Sequence, residues 1–255
     1  MNKENKNYKG IILAGGKGTR LYPITKAISK QLLPVYDMPM VYYPLQTLTN
    51  AGLKEILLIT NPENIDLYKS LLGQGEDFNI SISYEVQNEP KGIAQAIQIG
   101  QDWLAGSNCV LVLGDNLFLA GDTSKKLKIA MQKNKGAYIF GYKVNDPSRY
   151  GVVLFDDNKK IINIEEKPEK PKSNWVVTGL YVYDNNVVKY VNDLKPSNRG
   201  ELEITDLNNL YLNKSSLEIE LIEEKSFWLD AGTKDSLLEA SNIVKKLKDK
   251  NIKLF

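Results

Sequence analysis

Short, unbroken apolar runs alternate with segments of helical spacing through the first half of the chain. Gly10-Ile-Ile-Leu-Ala14 is the first run and ends in glycines; Glu55-Ile-Leu-Leu-Ile59 and Val110–Leu113 have the same form. Runs that lack a polar face predict strands covered on both sides. Ser81–Val86 alternates as a strand, residues 40–50 and 92–104 carry helical spacing, and Asn61-Pro62 opens another helix that Gly73 and Gly75 end. Proline just inside a helix and glycine just past it suit the opposite needs of the two ends. Strands alternating with helices predict an α/β fold, Rossmann-like, with a mixed, mainly parallel central sheet and helices on both faces. Ligands of such sheets lie beyond the carboxyl ends of the strands.

The second half is richer in β-structure. Ala137–Val144, Val152–Phe155, Ile161–Glu166 and Trp175–Tyr183 read as strands, with a hairpin turn at Asp156-Asp-Asn-Lys159. Residues 184–191 and 201–212 are helical in spacing, Leu217–Ile222 returns to strand, and Ser236–Leu247 is an amphipathic terminal helix. No internal repeat, low-complexity tract or linker interrupts the pattern, so one α/β body with a β-rich elaboration is expected.

The 255 residues are 42% hydrophobic and 25% charged, too apolar for a disordered chain. Lys+Arg 33 against Asp+Glu 31 leaves a net charge of +2, which gives no electrostatic case for nucleic acid or a membrane surface as partner. No stretch approaches the ~18 apolar residues that would span a bilayer, and the polar Met1–Lys9 is no signal peptide. The single cysteine, Cys109, opens an apolar run and reads as a buried strand thiol; the absence of any disulfide partner fits a cytoplasmic location. Histidine changes the picture more, because there is none. Ser-His-Asp and Cys-His nucleophiles, phosphohistidine and imidazole-bound metals are excluded, and acid–base work falls to Asp, Glu, Lys or Tyr.

Chemistry first shows itself at Leu13-Ala-Gly-Gly-Lys-Gly-Thr-Arg20, directly after the first strand. Three glycines let the backbone approach a ligand and offer N–H groups to phosphate oxygens. A phosphate-binding lysine motif fails because Gly18, not Ser or Thr, follows Lys17; the dinucleotide fingerprint read from Gly16 meets Leu21 where its third glycine belongs. By itself the segment is equally a tight turn or a phosphate site.

Its continuation is more specific. Gly15-Gly-Lys-Gly-Thr-Arg-Leu-Tyr-Pro23, Ser29-Lys-Gln-Leu-Leu-Pro34, Gln87-x-x-Pro-x-Gly-Ile-Ala-Gln-Ala96, Leu113-Gly-Asp-Asn116, Tyr150-Gly151, Ile164-Glu-Glu-Lys-Pro168, Arg199–Asp206 and Trp228-Leu-Asp-Ala-Gly-Thr233 fall in the order found in sugar-nucleotide pyrophosphorylases. Over residues 10 to 245 the chain most resembles the glucose-1-phosphate thymidylyltransferases of that family. The resemblance implies the nucleotide-diphospho-sugar transferase fold, a single domain over 1–255, with a nucleotide-binding half (about 10–125), a sugar-phosphate-binding half (about 126–232) and a terminal helix (about 233–250). It implies condensation of dTTP with glucose 1-phosphate to dTDP-glucose and pyrophosphate, Mg2+ as cofactor, a place in dTDP-deoxysugar synthesis, and a homo-oligomer, dimer or tetramer. The nucleophile of that reaction arrives as an anionic phosphate, so a chain without histidine can perform it; positioning and electrostatics are the requirement.

Residue by residue, the resemblance makes Arg20, Lys30, Lys167, Asp115 and Asp230 catalytic, the two aspartates holding the metal. Leu13, Gly15, Gly16, Gly18, Thr19, Gln31, Gln87, Pro90 and Gly92 would bind the nucleotide, Gln87 reading the base. Tyr150, Gly151, Glu166, Lys167, Thr178, Gly179 and Arg199 would bind the sugar phosphate. The residues alone also allow plainer roles: Lys30 as a surface helix lysine, Asp115 as a turn or capping residue, and Glu166-Lys167 as a solvated pair. For Asp230 a capping role is weaker, since Thr233 is better placed to cap the last helix. Two departures flank the proposed metal ligand, Ala231 and Lys234, where most thymidylyltransferases carry Thr and His. The ending resembles the short form of the family, so weak feedback inhibition is expected and a tetramer stays open. A uridylyltransferase or relaxed-specificity enzyme, a non-catalytic nucleotide-sugar sensor and, more remotely, a dehydrogenase are the competing readings.

Overall fold

A computed structural model describes residues 7–223 and 225–255; the first six residues of the polar N-terminal segment lie outside the described residues. Strand β1 (Tyr8–Leu13) leads through β2 (Pro34–Val35) and β3 (Met38–Pro39) to helix α1 (Tyr42–Asn50). Next come β4 (Glu55–Thr60), α2 (Ile65–Leu72), β5 (Ser81–Val86), α3 (Gln95–Ile99), α4 (Gln101–Leu104) and β6 (Asn108–Leu113). Then follow β7 (Asn116–Leu119), α5 (Thr123–Lys133), β8 (Ala137–Lys143), β9 (Gly151–Phe155), β10 (Ile161–Glu166) and β11 (Trp175–Tyr183). The chain finishes with α6 (Val187–Asp193), α7 (Ile204–Asn213), β12 (Leu217–Leu221), β13 (Phe227–Asp230) and α8 (Lys234–Asp249).

One sheet runs in the order β10-β9-β11-β6-β1-β4-β5, with β8 on β11 and β12 on β8. Strands β5, β4, β1 and β6 are mutually parallel, and β11 joins β6 antiparallel. Consecutive residues of an unbroken apolar strand must serve opposite faces. Ile12 packs with Leu45, Leu48, Tyr68 and Leu127 of α1, α2 and α5, whereas Ile11 packs with Ile97, Val187, Leu207 and Tyr211 of α3, α6 and α7. Cys109 lies fully buried in the second of these cores as a free thiol. From β1 the chain moves outward to β4 and β5, then returns to β6 on the other side. Loops after β1 and β6 therefore diverge from a topological switch point, the natural crevice of such a sheet.

Several predicted elements shift. Residues 92–104 are two short helices rather than one: Gly92–Ala94 is a turn pinned by the Ala94 amide, which donates to the Leu202 carbonyl, and the break falls at Gly100, where a Cβ would come within 3.0 Å of Ile11 and Leu57. The helix expected over 201–212 starts only at Ile204, because the Leu202 backbone is bonded to Lys91 and Ala94 and the Glu201 carbonyl accepts from the Ser197 amide. The antiparallel pair β7–β13 and helix α5 had no counterpart in the sequence pattern. Four-residue strands carry too little periodicity to be seen, and their pairing joins positions more than a hundred residues apart.

A third core beneath α8 gathers Val35, Met40, Tyr43, Leu117, Ala231, Val244 and Leu247. Helix α8 begins with a capping box, in which the Thr233 side chain accepts from the Ser236 amide and Ser236 Oγ accepts from the Thr233 amide. Thr233→Ala is expected to lower stability by about 1 kcal/mol, with Thr233→Ser near wild type. Urea denaturation checks this, and equal midpoints for all three proteins would show that the cap contributes nothing.

Candidate active site

Asp115 stands two residues past β6 and Asp230 ends β13, so the β7–β13 pairing brings the two carboxylates to one place. Asn116 fixes that arrangement. Its Oδ1 accepts from the Trp228 indole at 2.6 Å and from the Gly179 amide at 2.9 Å, while its Nδ2 donates to Asp115 Oδ1 at 3.1 Å. The Ala231 amide also donates to the Asp115 carbonyl at 3.0 Å. Ala231 thus acts through its backbone and buries only a methyl group, while Lys234 is exposed on the first turn of α8. Neither departure disturbs the carboxylates directly.

The two aspartates share the wall of a cavity of about 260 Å3 with Arg20, Tyr150, Gly151, Glu166, Lys167, Thr178, Gly179 and Arg199. Every residue expected at the sugar phosphate is therefore on one surface. Val176 pairs with both β8 and β9, whereas Leu180–Tyr183 pairs with β8 and β6; the sheet forks at Thr178-Gly179 and opens the space. A Cβ at Gly179 would come within 2.6 Å of Asn116 Oδ1. Thr178 Oγ1 is buried there without a hydrogen-bond partner among the described residues. Lys167 takes a left-handed backbone (φ 43°) as β10 ends at the rim, a conformation disfavoured for a side chain of its size.

Charge in the cavity is unevenly settled. Burial opposes ionisation of Asp115, but the Lys30 ammonium in contact with it and the Asn116 hydrogen bond win, holding its carboxyl below the ordinary value. Asp230 goes the other way: burial raises it, and the Asp115 charge raises it further against the pull of Lys30, Arg20 and Arg149. Opposed shifts of this kind mark two carboxylates that cannot both ionise cheaply. Lys30 and Asp115 form an ion pair with both side chains mostly buried, so Lys30 is no surface lysine.

In the same cavity Arg199 is committed to Glu203 at 2.8 Å, to Glu166 at 3.3 Å and to Glu201 at 3.6 Å. Glu166 also accepts from Thr205 Oγ1 and pairs with Lys167 at 3.3 Å. Thr205, Glu203 and Arg149 were not singled out in the sequence; each sits in or beside a motif, but only folding shows that it reaches the cavity.

Leu13, Gly15, Gly16, Gly18, Thr19, Gln31, Gln87, Pro90 and Gly92 lie outside that cavity's lining, the first five at the carboxyl end of β1 and Gln87 at the end of β5. Asn61 clamps the glycine loop by accepting from the Gly16 amide at 3.0 Å and donating to its carbonyl at 3.1 Å. That amide is therefore engaged within the protein. A Cβ at Gly15 would come within 2.4 Å of Gln87 Oε1, so a side chain there would displace the Gln87 carboxamide. Gln87 is buried, and its Nε2 donates to Gln95 Oε1 at 2.7 Å, which leaves Oε1 facing the loop. Gln31 is buried too, with its carboxamide oxygen accepting from Ser29. Pro90 is exposed, and Gly92 (φ 101°) packs against the Leu202 backbone.

Among the described residues no three His, Cys, Asp or Glu groups converge as a metal site. Two carboxylates without a third suit a hard divalent cation that draws its other oxygens from phosphates and water.

The nucleotidyl transferase family model matches residues 9–246. A glucose-1-phosphate thymidylyltransferase of Neisseria meningitidis is 54% identical over 241 residues, 94% of this chain and 84% of that protein. One from Mycolicibacterium smegmatis is 50% identical over 94% of this chain and 83% of its own length. Among solved structures, one from Bacillus anthracis, provisionally named a glucose-1-phosphate thymidylyltransferase and complexed with a sucrose, superposes with TM-score 0.87 at 43% identity, covering 93% of this chain and 95% of that one. UDP-glucose pyrophosphorylase complexed with UDP-glucose superposes with TM-score 0.83 at 25% identity, covering 94% and 99%.

The opposed aspartates predict opposite stability effects. Asp115 stabilises the fold when ionised, and that contribution is lost as the pH falls through its lowered folded value. The Asp230 carboxylate weakens the fold at neutral pH, and the penalty disappears once the pH is below the ordinary carboxyl value near 4. Asp230→Asn should therefore raise the urea midpoint at pH 7, with the gain gone below about pH 4. Asp115→Asn should cost roughly 3 kcal/mol by leaving Lys30 buried and unpaired. A loss of stability in Asp230→Asn at pH 7 would contradict the assignment.

Proposed function

The chain belongs to the nucleotidyl transferase family, and within it to the glucose-1-phosphate thymidylyltransferases, and on that footing we propose that it joins dTTP to α-D-glucose 1-phosphate, releasing pyrophosphate. The observation that carries the reading is the meeting of Asp115, Asp230, Lys167, Arg199 and Arg20 on one cavity wall at the switch point of the sheet. Phosphate oxygens brought together repel, and this wall supplies both positive charge and paired carboxylates where they would meet.

An oxygen of the sugar phosphate attacks the α-phosphorus, its new P–O bond forms, and the bond to the departing pyrophosphate breaks. The nucleophile is ionised on arrival, so no residue need take a proton from it. Lys167 and Arg199 hold the sugar phosphate; Arg199 exchanges part of its carboxylate contact for phosphate oxygens. Glu166, anchored by Thr205, accepts from sugar hydroxyls, while Tyr150, Gly151, Thr178 and Gly179 shape the wall around the ring. Arg20, Lys30 and the loop of Gly15, Gly16, Gly18 and Thr19 hold the triphosphate, with Leu13, Gln31, Pro90 and Gly92 bounding the nucleotide. Asp115 and Asp230 would hold Mg2+, which when bound supplies positive charge between the reacting phosphates.

Base choice rests on Gln87. With Nε2 tied to Gln95, its Oε1 is free to accept from the N3–H of thymine or uracil, and its second N–H to donate to O4. Cytosine presents the reverse pattern. Thymine and uracil differ by one methyl group, so discrimination of only ~1–3 kcal/mol is expected and UTP is the second substrate to consider. Among the described residues no helix is long and apolar enough to cross a membrane; the reduced Cys109 supports a cytoplasmic setting.

Pyrophosphate release with glucose 1-phosphate, measured in turn with dTTP, UTP, CTP, GTP and ATP, tests the proposal. dTTP should be fastest, UTP measurable, and CTP roughly 100-fold slower. Activity with CTP equal to that with dTTP would overturn the role of Gln87.

A further inference from the structure

Most cations around the cavity already face a carboxylate in the free protein. Lys30 is on Asp115, Lys167 on Glu166, and Arg199 on Glu203, Glu166 and Glu201. Arg20 and Arg149 are different: both line the cavity, both are exposed, and neither makes an ion pair among the described residues. Two guanidinium groups on one wall, within the field of Asp230 and, for Arg149, of Asp146, but without a direct ion pair among the described residues, form a site for a multiply charged anion.

Arg149 is also held in place. Asp146 accepts from the Ser148 amide at 3.3 Å and hydroxyl at 2.7 Å, and the Tyr150 amide donates to the Pro147 carbonyl at 3.1 Å. On the other side, the Tyr150 carbonyl accepts from the Lys167 amide at 3.0 Å, and the Tyr150 ring meets Trp228 edge-on at 5.3 Å. The Arg149 guanidinium lies 5.9 Å from the Tyr150 ring centroid. Trp228 belongs to the strand that ends at Asp230, so Arg149 is carried by the same packing that carries the second carboxylate. The fields of Arg149 and Arg20 fall together on Asp230 and on Tyr150.

We infer that Arg149 is a second pyrophosphate-binding residue, paired with Arg20 across the mouth of the cavity. It grips the β- and γ-phosphates of the nucleotide on entry and takes up the charge that develops as the α–β phosphate bond breaks. The inference deepens the proposed thymidylyl transfer and rests on that reading. The sugar phosphate is served by Lys167 and Arg199 on the β10 and α7 side, so Arg149 affects the two substrates unequally.

The test is Arg149→Gln. Its melting temperature should match wild type, since the side chain is exposed and makes no hydrogen bond or ion pair among the described residues. Calorimetric titration with inorganic pyrophosphate in the presence of Mg2+ should show binding weakened about tenfold, and the KM for dTTP should rise to a similar degree. Affinity for glucose 1-phosphate should change less than about twofold. A loss confined to glucose 1-phosphate, or unchanged binding of both, overturns the inference. If wild-type protein forms no dTDP-glucose, the assigned reaction fails instead; the pyrophosphate titration still decides the role of Arg149 independently.

Discussion

Asp115 and Asp230 share a partly dehydrated cavity and each other's field, and like charges placed this way cannot both ionise without help. The surrounding structure is organised to hold them together regardless. Asn116 ties Asp115 to the Trp228 indole of one strand and the Gly179 amide of another, so a single carboxamide sets the carboxylates in register with the fork of the sheet. Lys30 settles the charge of Asp115 and leaves that of Asp230 unsettled. Perturbed carboxyl groups in a cavity, held at a cost in stability, mark a candidate functional site.

The same logic explains why catalysis does not require histidine. The reaction needs no proton removed from its nucleophile, and the demanding step is the approach of anions. The groups present match that demand. Some cations are balanced by carboxylates, as at Arg199, and two that line the cavity, Arg20 and Arg149, make no ion pair among the described residues. Glycine matters where the loop meets Gln87: a side chain at Gly15 would collide with the carboxamide oxygen proposed to read the base. Asn61 and Gln95 complete this side by fixing the loop and the reading carboxamide.

Much of this could be read in the chain. Continuous apolar runs announced the parallel strands, and the two buried faces of β1 show why: Ile11 and Ile12 serve different cores. Thr233 was legible as a cap because its signal is local, residue to residue. The residues expected at the sugar phosphate were picked out by motif, and the structure places all of them on the wall of one cavity. What escaped was non-local. Nothing near Asn116 in sequence announces Trp228 or Gly179, and strands β7 and β13 are defined only by each other. The full charge balance around Arg199 escaped for the same reason: Glu201 and Glu203 lie in its own motif, but Glu166 reaches it from β10.

The central claim, that the cavity holds one settled and one unsettled carboxylate awaiting a cation, is tested most directly by NMR titration of the side-chain carboxyl carbons of Asp115 and Asp230. In the free protein Asp115 should titrate below and Asp230 above the ordinary carboxyl range. With Mg2+ and a non-hydrolysable dTTP analogue present, the Asp230 titration should fall below its free-protein position. Two ordinary titrations that do not move on adding cation and nucleotide would contradict the account.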